Sequence, residues 1–84
     1  MNDIIPLYNL SCYGVGIVEY LDSNSLLYDR FKELGIIEGA EIKKIMTSPL
    51  GDPSAYLVKG TLIAIRRSDA SGIFVREVQY NAGK

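Results

Sequence analysis

The chain has 84 residues, enough for one domain with a single core. We expect residues 1–84 to form one domain whose core spans about residues 7 to 78, with residues 81–84 frayed. Its nine basic and ten acidic residues leave a net charge of −1, which argues against nucleic-acid binding because phosphate recognition needs a basic surplus on one face. No apolar run is long enough to cross a bilayer, and the first six residues lack the features of a secretory signal, so we expect a cytoplasmic protein without direct membrane insertion.

A short lead-in and a strand are predicted at the start of the chain. Leu7 and Leu10 lie three residues apart, and we expect their segment to form a turn that packs both leucines onto the core. Gly14 and Gly16 predict a sharp turn or a bulge. The first strand should follow over residues 17–21, where β-branched and aromatic side chains dominate.

One helix is predicted over residues 24–34, where apolar residues recur at helical spacing. The apolar stripe consists of Leu27, Phe31 and Leu34. Asn24 or Ser25 is expected to cap the helix at its start, because these side chains accept hydrogen bonds from free backbone amides. Gly35 follows the stripe at the position where helices commonly end with a left-handed residue.

Four further strands are predicted in the second half of the chain, over residues 41–47, 55–59, 61–66 and 72–78. The imperfect alternation around Lys44 predicts a bulge in the second strand. A loop over residues 48–53, with two prolines and a glycine, interrupts the strands, and a single helical turn is expected around residues 68–70. Strand 61–66 is apolar on both faces, which predicts a central position in the sheet.

These elements predict a mainly β fold, a small and partly open barrel of about five strands with one short helix inserted after the first strand. Structural turns are expected at Gly35, Gly39 and Gly60, where positive φ angles are needed. The predicted core comprises Leu7, Leu10, Ile17, Leu27, Phe31, Leu34, Ile42, Leu62, Ile63, Ile65, Ile73 and Val75.

The side chains that support catalysis are missing from the sequence. There is no histidine, the commonest general base and transition-metal ligand, and no phosphate-binding loop. Cys12 has no basic neighbour in sequence and is expected to be a small core thiol. Asp29 and Glu33 lie four residues apart on the predicted helix, but we interpret them as solvated surface acids. We therefore expect no enzyme, no cofactor and no metal site.

The loop over residues 48–53 is the best candidate for a partner-binding surface. Its two prolines restrict it before any contact is made, so docking would cost less conformational entropy. The loop places a leucine next to a tyrosine with polar residues around them, which is typical of an interaction site. The candidate residues are Pro49, Leu50, Asp52, Pro53 and Tyr56. The alternative is that Leu50 folds back and covers one end of the barrel.

Several stretches together resemble the FeoA family, the small cytoplasmic component of bacterial ferrous iron transport. They are residues 30–36 (RFKELGI) with Gly39, 48–53 (SPLGDP), 60–66 (GTLIAIR), 69–70 and 73–75. The resemblance extends from about residue 7 to about residue 75 and implies an SH3-like barrel, a fold that also occurs in metal-dependent repressors of the diphtheria-toxin-repressor type. Two positions depart from the family pattern, since Glu38 stands where proline is frequent and Lys44 where an apolar strand residue is usual.

The resemblance implies an accessory protein that binds the cytoplasmic part of a FeoB-type iron permease. That permease carries a G-protein domain. An interaction and regulatory module is therefore the first functional hypothesis. A transition-metal-binding or metal-sensing domain is the alternative, and the ligand inventory argues against it. Nucleic-acid binding has only the fold in its favour, and a weak homo-oligomer stays open.

Overall fold

The computed structural model describes residues 3–78, and its main element is one antiparallel sheet of six strands. The strands are β1 (Ile4–Pro6), β2 (Val15–Leu21), β3 (Glu41–Thr47), β4 (Ser54–Val58), β5 (Thr61–Ile65) and β6 (Ile73–Val78). A 3₁₀ turn (Leu7–Asn9) and two short helices, α1 (Tyr28–Glu33) and α2 (Arg67–Ala70), connect them. The strand order is β1-β6-β2-β3-β4-β5, so the sheet is not closed, and the predicted mainly β, partly open architecture is confirmed. The fraying predicted for residues 81–84 lies outside the described residues.

The sheet contains six strands, not five, because the lead-in segment includes β1. This three-residue strand pairs with β6 and places Ile5 opposite Val75. It is too short to show an alternating pattern, and Pro6 at its end can be accommodated because β1 lies at the edge of the sheet. Consequently, the first helix follows the second strand of the fold and not the first.

Helix α1 is shorter than the predicted helix over residues 24–34, and it begins at Tyr28. The polar side chains before it stabilise turns: Asp22 Oδ1 accepts a hydrogen bond from the Asn24 N–H at 2.9 Å, and Ser25 Oγ accepts one from the Leu27 N–H at 3.3 Å. Such local bonds compete with helical ones, and for that reason neither Asn24 nor Ser25 caps α1.

Gly35, Gly39 and Gly60 have φ angles of 94°, 89° and 80°, which confirms the three predicted structural turns. Gly60 forms the β4–β5 hairpin turn together with Lys59, whose φ is also positive at 50°. Gly16 does not lie in a turn or bulge as predicted, because it is inside β2, where an added Cβ would come within 2.9 Å of the Val75 side chain.

The buried core lies under one face of the sheet and is closed by α1 and the 3₁₀ turn. Phe31, the central residue of the predicted helical stripe, is buried, and Leu27 packs against the same cluster. Much of the predicted core is confirmed, with Leu7, Leu10, Phe31, Ile42, Ile65, Ile73 and Val75 buried. Ile17 and Leu34 are half-buried. Val18, Ile36, Tyr56, Val58 and Ala70 are also buried and were missed.

Leu62 is 60 % exposed, so its prediction as a core residue is wrong. The reason is the position of β5, which lies at an edge of the sheet and not at its centre. Alternate side chains of an edge strand with one covered face point outward, whatever their polarity. In β5 the inward residues are Ile63 and Ile65, which face the core.

Candidate functional site

The loop between β3 and β4 presents one leucine to solvent. Leu50 is 94 % exposed at its tip, so it does not fold back over the barrel. The loop is closed at its base by the Ser48 N–H, which donates to the Pro53 carbonyl at 2.9 Å. Within the loop, the Gly51 N–H donates to the Ser48 carbonyl at 2.7 Å and the Leu50 N–H donates to Ser48 Oγ at 3.3 Å. These bonds hold the backbone of an exposed apolar residue in a defined conformation.

Asp52 connects this loop to the rest of the fold. Its Oδ1 accepts a hydrogen bond from the backbone N–H of Arg67, the first residue of α2, at 2.8 Å. Pro49 and Pro53 are exposed on either side of Leu50. Four of the five predicted partner-binding residues therefore lie together on one solvent-facing loop.

Tyr56, the fifth predicted residue, is fully buried and does not lie beside Leu50 on the surface. It sits in β4, and its neighbours Ala55 and Leu57 point to the opposite face, because side chains alternate along a strand. Burial raises the pKa of the Tyr56 hydroxyl above its ordinary value of 10.0; Asp52 acts in the same direction, and a side-chain hydrogen bond with Ser54 opposes it. Tyr56 is thus a core residue beneath the loop.

A second apolar surface covers the outward face of β3, β4 and β5, and sequence reasoning missed it. Leu57 stands opposite Leu62, and Met46 and Ala64 both stand opposite Ala55. Met46, Leu57 and Leu62 are exposed. We call these five residues the outer β3–β5 face. In the sequence this face is indicated only by two strands with apolar residues on both sides. The same pattern is typical of central strands that are covered on both faces, so it did not identify an exposed surface.

A polar pocket of about 230 Å³ lies next to the loop and is lined by Tyr8, Asn9, Lys44, Thr47, Gly51, Ser54 and Arg67. Lys44 is half-buried, and its Nζ donates to the Tyr8 carbonyl at 3.1 Å. The Arg67 guanidinium lies over the Tyr8 ring, 4.7 Å from its centroid. The β3 register shifts between Lys44 and Met46, which confirms the predicted bulge.

Cys12 is exposed, so the expectation of a core thiol is wrong. It lies in the loop between the 3₁₀ turn and β2, and its Sγ is 3.7 Å from the Ile45 carbonyl oxygen. Asp29 and Glu33 are exposed on α1. In the part of the chain that the structure describes, no three His, Cys, Asp or Glu residues lie close enough to hold a metal ion together. Over the same residues, no helix is long and apolar enough to cross a membrane.

Comparison with known proteins agrees with this architecture. The FeoA-domain family model matches residues 5–77. The FeoA-like protein of Clostridium acetobutylicum is 26 % identical with a TM-score of 0.86, over 96 % of this chain and 94 % of that one. Stenotrophomonas maltophilia FeoA, an SH3 domain protein solved with zinc, is 28 % identical with a TM-score of 0.73, over 89 % of this chain and 88 % of that one. No curated protein matches this chain.

The manganese regulator SloR shares the fold alone, at 15 % identity and a TM-score of 0.74, over 87 % of this chain and 34 % of the regulator. The predicted SH3-like architecture is confirmed by the Stenotrophomonas maltophilia structure, and the same fold occurs in this regulator. Because the family model covers most of the sequence and structures of family members superpose over nearly the whole fold, the chain belongs to the FeoA family, which is associated with ferrous iron transport.

Proposed function

We propose that this protein is a cytoplasmic, non-catalytic accessory of ferrous iron uptake that binds the cytoplasmic part of a FeoB-type permease and regulates it. Membership of a family of small accessory domains in iron transport supports the proposal. The same fold serves different functions in different proteins, so the partner must be recognised by a particular surface of this chain.

The observation that carries the proposal is the conformation of the loop around Leu50. The Leu50 side chain is 94 % exposed, so it buries almost no apolar surface in its own fold. Its backbone, by contrast, is fixed by the hydrogen bonds that Ser48 and Gly51 donate within the loop. Burying such a side chain in a partner's pocket contributes about 1.5–3 kcal/mol. Because the loop is ordered beforehand, little of that free energy is spent on ordering it. We therefore place the contact with the permease at Leu50, bordered by Pro49, Asp52 and Pro53.

Co-purification of the full chain with the detergent-solubilised permease tests the proposal. Leu26 provides a matched control, because it is also a loop leucine with a fully exposed side chain. We expect Leu50→Asp to abolish co-purification and to leave the thermal midpoint unchanged, and we expect Leu26→Asp to co-purify like the wild type. If the wild-type chain does not co-purify, the partner is wrong. If only Leu62→Asp prevents binding, the contact lies on the outer β3–β5 face and not at the loop.

A further inference from the structure

Two cationic side chains meet at the polar pocket beside the loop, and one residue positions both of them. Tyr8 accepts a hydrogen bond from Lys44 Nζ through its carbonyl and supports the Arg67 guanidinium on its ring. Tyr8 and Lys44 are 36 residues apart in sequence, so the fold itself brings these groups together. Stacking on an aromatic ring fixes the plane of a guanidinium and leaves its N–H groups free to bind at its edge.

Neither cation forms an ion pair with a carboxylate of the described residues. Over residues 3–78 the ion pair that the structure forms is between Arg76 and Glu19, on other strands. Asp52 also lies at this corner of the fold; its Oδ1 accepts a hydrogen bond from the backbone N–H of Arg67, and its carboxylate forms no ion pair with the Arg67 guanidinium. Lys44 is half-buried, and removing part of the water around a charged ammonium is unfavourable unless hydrogen bonds or an anion offset it.

The rest of the pocket offers hydrogen-bonding groups that suit an anion. The hydroxyl oxygens of Thr47 and Ser54 are 3.1 Å apart on the pocket lining, and the Asn9 side chain lies at the same pocket. A lysine ammonium has three N–H donors, and the Tyr8 carbonyl takes one of them. The remaining ammonium and guanidinium donors form a set that carboxylate and phosphate oxygens accept from, and the Thr47–Ser54 pair adds at most one free hydroxyl donor.

We propose that this pocket is a binding site for one oxyanion, a carboxylate or a phosphate group, held between Lys44 and Arg67. The site depends on side chains and not on the start of α2, because the Arg67 N–H is already bonded to Asp52. The oxyanion is either a free anion or the acidic side chain of a bound polypeptide. The proposal does not depend on which protein is the partner.

Nuclear magnetic resonance titration of the isotopically labelled full chain tests the site. The probes are sodium phosphate, sodium acetate, a short glutamate-containing peptide and the same peptide with glutamine, each at constant ionic strength, with sodium chloride as the blank. We expect saturable shifts confined to the amides around Tyr8, Lys44, Thr47 and Arg67. Saturation by phosphate identifies a free anion as the ligand, and saturation by the glutamate peptide but not by phosphate identifies an acidic side chain.

Variants decide whether the two cations carry the binding. Lys44→Gln and Arg67→Gln should each weaken binding of the saturating probe by about tenfold, as expected for a charge-assisted hydrogen bond. Their sequence neighbours are matched controls: Lys43→Gln, whose side chain is on the other face of β3 beside Leu57, and Arg66→Gln should bind like the wild type.

Shifts of the same size in sodium chloride, or equal binding by both pocket variants and their controls, would overturn the proposal. Binding of the glutamine peptide as tightly as the glutamate peptide, with no binding of phosphate or acetate, would overturn it as well. If Lys44→Gln does not fold, Arg67→Gln alone decides, because Arg67 is exposed and its removal leaves no buried group unpaired.

Discussion

Asp52 and Arg67 join the loop after β3 to the start of α2, through the hydrogen bond that the Arg67 backbone N–H donates to Asp52 Oδ1 at 2.8 Å. Acceptors at the start of helices contribute about 0.5–2 kcal/mol to stability. We expect Asp52→Ala to lower the free energy of unfolding by about 1 kcal/mol, and Asp52→Asn, which keeps an acceptor, to lower it by less. Chemical denaturation measures both values.

Asp29→Ala is the control for this prediction, because Asp29 is an exposed acid without a side-chain hydrogen bond among the residues that the structure describes. It should change the free energy of unfolding by a few tenths of a kcal/mol. An equal effect of Asp52→Ala and Asp29→Ala would mean that the bond to Arg67 does not hold the loop.

Phe31 anchors α1 to the sheet and is 3 % exposed. Phe31→Ala removes a buried aromatic side chain and leaves a cavity, so we expect it to cost about 3–5 kcal/mol. Glu33→Ala on the exposed side of the same helix is the matched control and should be nearly neutral. A thermal midpoint that Phe31→Ala leaves unchanged would show that α1 does not pack on the sheet.

Gly35 ends α1 in a conformation that other residues rarely adopt, with a φ of 94°. The Gly35 N–H donates to the Lys32 carbonyl and the Ile36 N–H donates to the Phe31 carbonyl, the pair of bonds that defines a Schellman motif. Gly35→Ala should therefore cost about 1 kcal/mol, and Gly35→Asn less, because asparagine tolerates positive φ. Equal unfolding free energies for wild type and Gly35→Ala would contradict this account of the helix end.

Tyr56 gives the protein a pH dependence on the alkaline side. Its pKa is raised by burial, so the unfolded chain loses the proton first as the pH rises past 10.0, and deprotonation favours unfolding. The stabilisation is complete below that pH and is lost above it. Tyr56→Phe should therefore lose less stability than the wild type as the pH rises above 10.0.

Tyr13→Phe controls for this measurement, because Tyr13 is 68 % exposed. Thermal midpoints across the alkaline range should fall for Tyr13→Phe as steeply as for the wild type. If the thermal midpoint of Tyr56→Phe fell as steeply with rising pH as that of the wild type, the wild-type Tyr56 hydroxyl would titrate alike in the folded and unfolded chain.

Local features of this chain could be predicted from sequence. Gly35 and Gly60 follow an apolar stripe and a hairpin pattern, and both have the predicted positive φ because neighbouring residues alone determine it. For Leu50 the sequence leaves two positions open, facing solvent or covering one end of the barrel, and the structure shows the side chain exposed. Helix α1 was predicted too long because the turn-forming bonds of Asp22 and Ser25 compete with helical ones.

Features that depend on which strands are neighbours could not be predicted. Leu62 and Tyr56 lie in strands with apolar residues on both faces, and the face of the sheet that the core covers determines that Leu62 is exposed and Tyr56 is buried. The pocket between Lys44 and Arg67 has no sequence signal either, since Tyr8 brings the two together across the fold.

Titration of the full chain into the purified cytoplasmic part of the FeoB-type permease is the most direct measurement of the central claim. We predict saturable binding by the wild type and by Leu26→Asp, and binding at least about tenfold weaker for Leu50→Asp, because about 1.5–3 kcal/mol of buried leucine surface is replaced by a charge. Circular dichroism should show that both variants are folded. Equal affinity of folded Leu50→Asp and Leu26→Asp would contradict the account.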